Sequence, residues 1–388
     1  MVSRSPAQYV PTAGLAVSHF SHGESISHNP PRRPSAGWYF FKCSEYDTLS
    51  QEMWDRFVKS QQTEETFRKK MNLWRYLYIT IKSIFPRYGL YVVGSTMSGF
   101  GLESSDMDLC LYVRALDNVE PRAHALLHLN YILGYIRSFD PELIQAKVPI
   151  LKFRDARNGL QVDLNCNNVV GIRNTNLLHC FSRMDWRVRP LVALTKLWAQ
   201  AHNINDARHS TLSSYSLTLM VIHFLQCGAA PAVLAAGGAA RRVPLGELFV
   251  QLLQYYARFP YARAAVSVRA GARLPVADCR AARACKNDPH QWKLLCVEEP
   301  FDLTNTARSV YDPETFERIV DTFRVSSERL AAGLRLADIH ISYNSNSSMT
   351  DAVHGNIMDN TLPHKKASDS FLIYLLFICK LFNVNIKK

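Results

Sequence analysis

No run of apolar residues in this 388-residue chain is long enough to span a membrane: the longest, residues 371–379, is closed by Lys380, and a spanning helix needs about 20. The chain therefore reads as soluble. Residues 1–36 carry Pro, Ser and His but no continuous apolar stretch behind a basic start, which argues against a secretory signal. Neither glycine nor a heptad recurs at a fixed period, so collagen-like and coiled-coil arrays are excluded. The nine cysteines form no CxxC pair and have no histidine at metal-ligand spacing. They read as reduced, mostly buried thiols rather than a zinc site.

What is present is a core-forming composition with a positive bias. Apolar residues make up 47%, which argues against wholesale disorder, and the length predicts two or three domains at about 100–200 residues each. Lys and Arg total 45 against 33 Asp and Glu, a net charge of +12. Half of that excess lies in residues 228–290, with nine Lys or Arg against three Asp or Glu. Such a segment is an electrostatic footprint for a polyanion such as RNA, and it fits a solvated surface on ordinary helices equally well.

Along the chain, residues 1–36 lack periodicity and contain Pro30, Pro31 and Pro34, the mark of a disordered leader. Residues 37–89 hold two amphipathic helices, with Trp54, Phe57 and Val58 on the first and Trp74, Leu77, Ile81 and Phe85 on the second. Residues 90–170 alternate like strands near 90–93, 109–113, 148–153 and 160–166. Asn158-Gly159 marks a hairpin between the last two, and a helix covers 121–139. Residues 171–337 read as helical almost throughout. After 337 the pattern stops, and residues 338–388 form a tail without an assigned role. The expectation is an α+β, bilobed protein, a small mixed-sheet lobe followed by a mainly helical one.

The chemistry concentrates between residues 93 and 111. A strand ends at Gly94-Ser95 before a short helix, where backbone NH groups and the Ser95 hydroxyl suit phosphate oxygens. Asp106-Met107-Asp108 then leads into an apolar strand, with both carboxylates on one face. Side by side they repel unless a cation lies between them, and hard oxygen donors suit Mg²⁺ or Mn²⁺. Two such ions about 4 Å apart clamp the attacking and leaving oxygens of phosphoryl transfer. Asp163 is an isolated charge in the apolar strand Gln161-Val162-Asp163-Leu164-Asn165, a position that points to a metal ligand or base.

Gly-Ser, Asp-x-Asp and a distant strand Asp together resemble the signature of polymerase-beta-like nucleotidyltransferases. Further motifs narrow the likeness: Asn174-Thr175-Asn176, Arg189-Pro190 through Lys196-Leu197-Trp198, Thr211-Leu212-Ser213-Ser214-Tyr215, and Glu298-Glu299-Pro300-Phe301-Asp302 through Arg308. Residues 49–336 resemble the non-canonical poly(A) polymerases, most nearly their cytoplasmic, germline-development type.

The resemblance implies that Asp106, Asp108 and Asp163 hold the metals, with Asp163 helping to deprotonate an RNA 3′-hydroxyl that attacks the α-phosphate of ATP. It implies that Gly94, Ser95, Lys196 and Ser214 take the triphosphate, Tyr215 stacks on the base, and Asn174 and Thr175 contact the ribose. Uridylyl-transferring relatives carry a His in the loop after Glu299; this chain has none, which favours ATP, with Glu299 or Asp302 as the acceptor for the adenine amino group. Gln200 stands where some relatives have a second cation for the triphosphate. No RNA-recognition signature is visible, so RNA choice is expected from a separate RNA-binding partner. A cytoplasmic location is expected from the same likeness and from the lack of a signal, with a nuclear pool left open. Terminal uridylyl transfer and a catalytically silent scaffold are the alternatives; the three carboxylates argue against the second, and the helical region argues against an Asp-x-Asp glycosyltransferase.

Overall fold

A computed structural model of the chain describes residues 44–114, 120–145, 148–234 and 243–341. The expected leader, residues 342–388 of the tail, and Arg241 and Arg242 of the basic segment lie outside the described residues. Tyr46 opens the unit that carries every element below.

Helix α1 (Asp47–Ser60) buries Leu49, Met53 and Phe57, and α2 (Glu64–Ile84), whose N-terminus the Thr63 side chain caps, buries Leu73, Leu77 and Ile81. Each set recurs at three- or four-residue spacing and so forms one face of its helix. The two faces serve different cores. Those of α1 join the core of the helical lobe, whereas those of α2 join the core beneath the sheet. The helices expected as one segment over 37–89 are therefore divided, and residues 61–63 cross from one lobe to the other.

The sheet lobe contains β1 (Gly89–Val93), a one-turn helix α3 (Ser95–Ser98), β2 (Met107–Tyr112), α4 (Pro121–Tyr135), β3 (Glu142–Ile144), β4 (Ile150–Asp155) and β5 (Leu160–Cys166). The strand order is β1-β2-β5-β4-β3. Only β2 and β5 run parallel; the other neighbours are antiparallel. The Asn158-Gly159 turn closes the β4–β5 hairpin, with Asp155 opposite Leu160 and Gly159 at φ +69°. That left-handed backbone is open to glycine at little cost. At three residues, β3 is too short to show the alternation by which the other strands are read.

Helix α5 (Val169–Met184) begins at the Asn168 cap and serves both cores, Ile172 in the sheet core and Leu178 and Phe181 in the helical one. The lobe boundary drawn at residue 170 thus falls at the head of a shared helix. The helical lobe continues with α6 (Val188–Ala201), α7 (Ser214–His223), α8 (Leu245–Ala257), β6 (Ala264–Ser267), β7 (Ala272–Pro275), α9 (Val276–Ala281) and α10 (Pro313–Gly333). Trp198, Leu248, Phe249, Tyr256 and Phe323 lie at its centre, each at most 1% exposed. Burying such a side chain stabilises the fold by about 1.5–3 kcal/mol relative to leaving it in water. The β6–β7 hairpin departs from the expectation of helix throughout this lobe. The architecture is the expected α+β one, a small mixed sheet and a mainly helical lobe.

Candidate active site

Sheet register assembles the carboxylates. In the parallel β2–β5 pair Asp108 lies directly beside Asp163, and in the antiparallel β4–β5 pair Asp163 lies beside Lys152. Neighbours in register share a face, so Asp108, Asp163 and Lys152 form one row. The Lys152 ammonium is 2.7 Å from Asp163 Oδ1 and 4.0 Å from Asp106 Oδ2. Asp108 is pushed up to about 7, first by burial and then by the charges of Asp163 and Asp106, with Lys70 and Lys152 opposing.

A carboxylate crowded in this way lacks countercharge, and three carboxylates are the hard donors a divalent cation prefers. Gly94 keeps the space around them open. Its φ is +71°, and a Cβ built there would lie 2.2 Å from Asp108 Oδ2. The residues therefore fit a divalent cation, although no group of three such ligands already converges on one point among the described residues. Asp163 is instead held by Lys152.

Asp106, Asp108, Gly94 and Ser95 form one wall of a cleft of ≈ 600 Å³ whose other wall includes Lys196, Ser214 and Tyr215. A cleft between lobes with a few converging polar groups is the usual setting for a small-molecule site. Buried Lys196 donates to the Phe100 carbonyl at 3.0 Å and is pushed down to about 8 by burial, against the pull of Asp108. Two turns earlier on α6, Arg189 Nε donates to the Gly99 carbonyl at 2.9 Å, so one helix of the helical lobe grips consecutive carbonyls of the loop leading to Asp106. Ser213, not Ser214, caps α7 by accepting from Ser216 N, which leaves the Ser214 hydroxyl in the cleft, donating to Asn205 Oδ1 at 3.0 Å. Gln200 and Arg208 also line the cleft.

Four of the expected nucleotide contacts have other surroundings. Thr175 Oγ1 accepts from Gly94 N at 2.9 Å and donates to the Gly171 carbonyl at 2.7 Å, so this buried hydroxyl anchors Gly94. Neighbouring Asn174, which does not line the cleft either, keeps a buried Oδ1 without a hydrogen bond. Glu299 and Asp302 do not line the cleft. Glu299 is 4% exposed; its Oε1 accepts from the Tyr215 hydroxyl at 3.2 Å and its Oε2 from Phe301 N and Asp302 N at 2.7 and 2.5 Å. Asp302 Oδ1 accepts from Thr304 N and Oγ1. Both carboxylates are engaged by their own loop, and Glu299 also accepts from the Tyr215 hydroxyl.

Two cations of this region were not singled out from sequence. Lys152 was open to the argument that found Asp163, being a single charge on a strand between buried Leu151 and Phe153. Lys70 falls on the buried stripe of α2 between Thr66 and Leu73, its phase the only sign.

Residues 49–183 match the family described as the central palm domain of mitochondrial-like poly(A) RNA polymerase, and residues 244–305 match the Cid1 family poly A polymerase. The chain is 46% identical over 332 residues to poly(A) RNA polymerase gld-2 homolog A of Drosophila melanogaster, covering 77% of this chain and 24% of that protein. It spans about a quarter of the length of that relative and of homolog B, which it matches at 45% identity. Among solved structures, GLD-2 in its complex with RNP-8 is similar at 39% identity and a TM-score of 0.65, over 76% of this chain and 98% of that one. The Cid1 poly(U) polymerase shares the fold, with a TM-score of 0.63 at 24% identity. With nearly the whole of a GLD-2 core matched at this identity, the chain belongs to the GLD-2 family of non-canonical poly(A) RNA polymerases.

Proposed function

We propose that the chain is a template-independent RNA adenylyltransferase that adds AMP from ATP to RNA 3′ ends, acting in cytoplasmic mRNA polyadenylation. The observation that carries this reading is the pairing of Asp106 and Asp108, beside Gly94 and Ser95, with Lys196, Ser214 and Tyr215 across a single cleft. Mg²⁺ or Mn²⁺ held by Asp106, Asp108 and Asp163 would offset charge on the attacking and leaving oxygens.

The chain's own groups do the rest. Tyr215, held through its hydroxyl by Glu299, offers a ring to the base. Lys196 leaves the Phe100 carbonyl to meet the outer phosphates, Ser214 adds a hydroxyl, and the spare Asn174 Oδ1 suits a ribose hydroxyl. Asp163 takes the proton of the RNA 3′-hydroxyl once Lys152 releases Oδ1. That oxygen bonds to the α-phosphorus, the bond from the α-phosphorus to the bridging oxygen breaks, and pyrophosphate leaves.

ATP is favoured over UTP because the loop after Glu299 lacks a histidine and because the similar curated proteins are named poly(A) RNA polymerases. A separate RNA-binding protein is the expected partner: the similar GLD-2 structures are complexes with RNP-8 and with GLD-3. The test is extension of a short labelled RNA with each nucleoside triphosphate in Mg²⁺ or Mn²⁺, alongside the double variant Asp106→Ala/Asp108→Ala. ATP ladders that vanish in the variant are expected. UTP-dominated ladders would overturn the base assignment, and ladders that persist in the variant would overturn the site.

A further inference from the structure

Lys70 is 0% exposed. Lysine is almost never fully buried unless paired, and removing its charge from water costs several kcal/mol. Among the described residues no carboxylate lies within ion-pair distance of it; its ammonium donates to two neutral oxygens, Gln62 Oε1 at 3.0 Å and the Ser105 carbonyl at 2.7 Å. A methionine would fill much the same volume without that cost, so stability alone does not account for the residue.

Its partners show what it does. Ser105 closes the turn before Asp106: its amide donates to the Leu102 carbonyl at 3.0 Å, and its hydroxyl accepts from Leu102 N at 3.0 Å. The carbonyl that Lys70 grips belongs to the peptide joining Ser105 to Asp106, so Lys70 fixes the plane from which Asp106 and, two residues on, Asp108 depart. Gln62 makes the second connection. Its amide nitrogen donates to the Thr96 carbonyl at 3.4 Å and its backbone NH to the Gly101 carbonyl at 3.0 Å. One hydrogen-bonded chain thus runs from Thr96, beside Gly94 and Ser95, through Gln62 and Lys70 to Ser105, beside the carboxylates.

We propose that Lys70 is a positioning residue: through Gln62 and the Ser105 carbonyl it sets the separation of the Gly94-Ser95 turn from the Asp106–Asp108 pair, and so prepares those carboxylates for a divalent cation. The inference rests on the reading of Asp106 and Asp108 as metal-holding residues.

The test is Mn²⁺ binding by the full chain, free Mn²⁺ being counted by its paramagnetic resonance signal with no RNA or nucleotide present. Four variants are compared with the wild type: Lys70→Met, Lys70→Arg, Gln62→Leu and Asp108→Asn. Loss of a group that orients metal ligands costs about 10–100-fold in affinity. Folded Lys70→Met should therefore need at least about tenfold more Mn²⁺ for half-saturation, with Lys70→Arg recovering most of the loss and Gln62→Leu intermediate.

A merely structural lysine would lower the melting temperature and leave half-saturation of the folded protein unchanged. Folded Lys70→Met within twofold of wild type would overturn the inference. If that variant does not fold, Gln62→Leu decides: unchanged half-saturation there overturns the inference, and weakened binding upholds it. Asp108→Asn separates the two layers. Wild-type Mn²⁺ binding in Asp108→Asn would overturn the metal reading and the inference with it, whereas binding lost in Asp108→Asn but intact in Lys70→Met would overturn the inference alone.

Discussion

Replacing Gly94 by alanine adds one methyl group at the point where the proposed phosphate turn meets the carboxylates. The new Cβ would lie 2.9 Å from Asp108 Cγ and 2.2 Å from its Oδ2, the second more than 1 Å inside ordinary non-bonded contact of roughly 3.5 Å. The backbone cannot turn away at no cost. At φ +71° and ψ −149°, a region nearly confined to glycine, a residue with a Cβ carries a penalty of about 1–3 kcal/mol, and the Gly94 amide is held by Thr175. The Asp108 carboxylate must therefore move by about 1 Å, and a displacement of that size at a reacting centre costs about 10²-fold in rate. Steady-state extension of a short RNA with ATP should show kcat/KM down about 100-fold, and urea unfolding should show stability down by about 1–3 kcal/mol. Gly134→Ala is the control: it lies inside α4, its Cβ would meet nothing within 4 Å, and it should raise stability by about 0.5–1 kcal/mol with activity unchanged. Gly94→Ala retaining a third or more of wild-type kcat/KM would refute the reasoning, because it would mean that Asp108 does not need its present position.

Three further outcomes follow from the same contacts. With Asp108 pushed up to about 7, the metal-free folded state keeps a proton that the unfolded chain, titrating near 3.8, has already released, so stability falls as pH rises from about 4 through about 7. Thermal melts should show that fall in the wild type and not in Asp108→Asn, and parallel profiles would contradict it. Leu303 is a non-glycine residue at φ +57°, so Leu303→Gly should exchange a penalty of about 1–2 kcal/mol for the smaller entropic cost of glycine, a net gain of about 0.5 kcal/mol in urea unfolding; a loss would show that the Leu303 side chain packs. Glu299→Gln should keep the ratio of ATP to UTP use, whereas Glu299→Ala, which strands Tyr215 and two backbone NH groups, should cost about 2–4 kcal/mol; a ratio moved more than threefold by the glutamine variant would show that the carboxylate touches the base.

Much of the fold was legible because its signals are local. The phases of α1 and α2, the Asn158-Gly159 turn and the four longer strands each lie within one stretch of chain, where periodicity and turn chemistry act directly. What stayed hidden depends on distant partners. Nothing within residues 47–84 says that Leu49, Met53 and Phe57 pack with Trp198 while Leu73, Leu77 and Ile81 pack under the sheet, since either apolar set would suit either core. The β6–β7 hairpin lies in an alanine-rich segment whose residues favour helix, and β6 is held besides by a distant segment, Val266 N bonding to the Cys296 carbonyl and Glu298 N to the Val266 carbonyl across about thirty residues.

The carboxylates divide in the same way, and the division says where sequence reasoning about charge can be trusted. Asp163 stood out because a strand commits its backbone NH groups to its neighbours and leaves an interior carboxylate nothing local to bind, so an isolated acid there must find a cation. Glu299 and Asp302, on a loop, are the opposite case: its NH groups are unspent, and the chain turns back so that Glu299 Oε2 takes two of them and Asp302 Oδ1 takes another. An acid in a loop can be satisfied within three residues, so its presence beside an expected substrate is no sign that it meets the substrate. The rule extends to cations. Lys152 on β4 and Lys70 on the buried stripe of α2 both sit where regular structure has used the local backbone acceptors. Both reach across the chain, Lys152 to Asp163 and Lys70 to the carbonyl before Asp106, and both therefore end at the carboxylates.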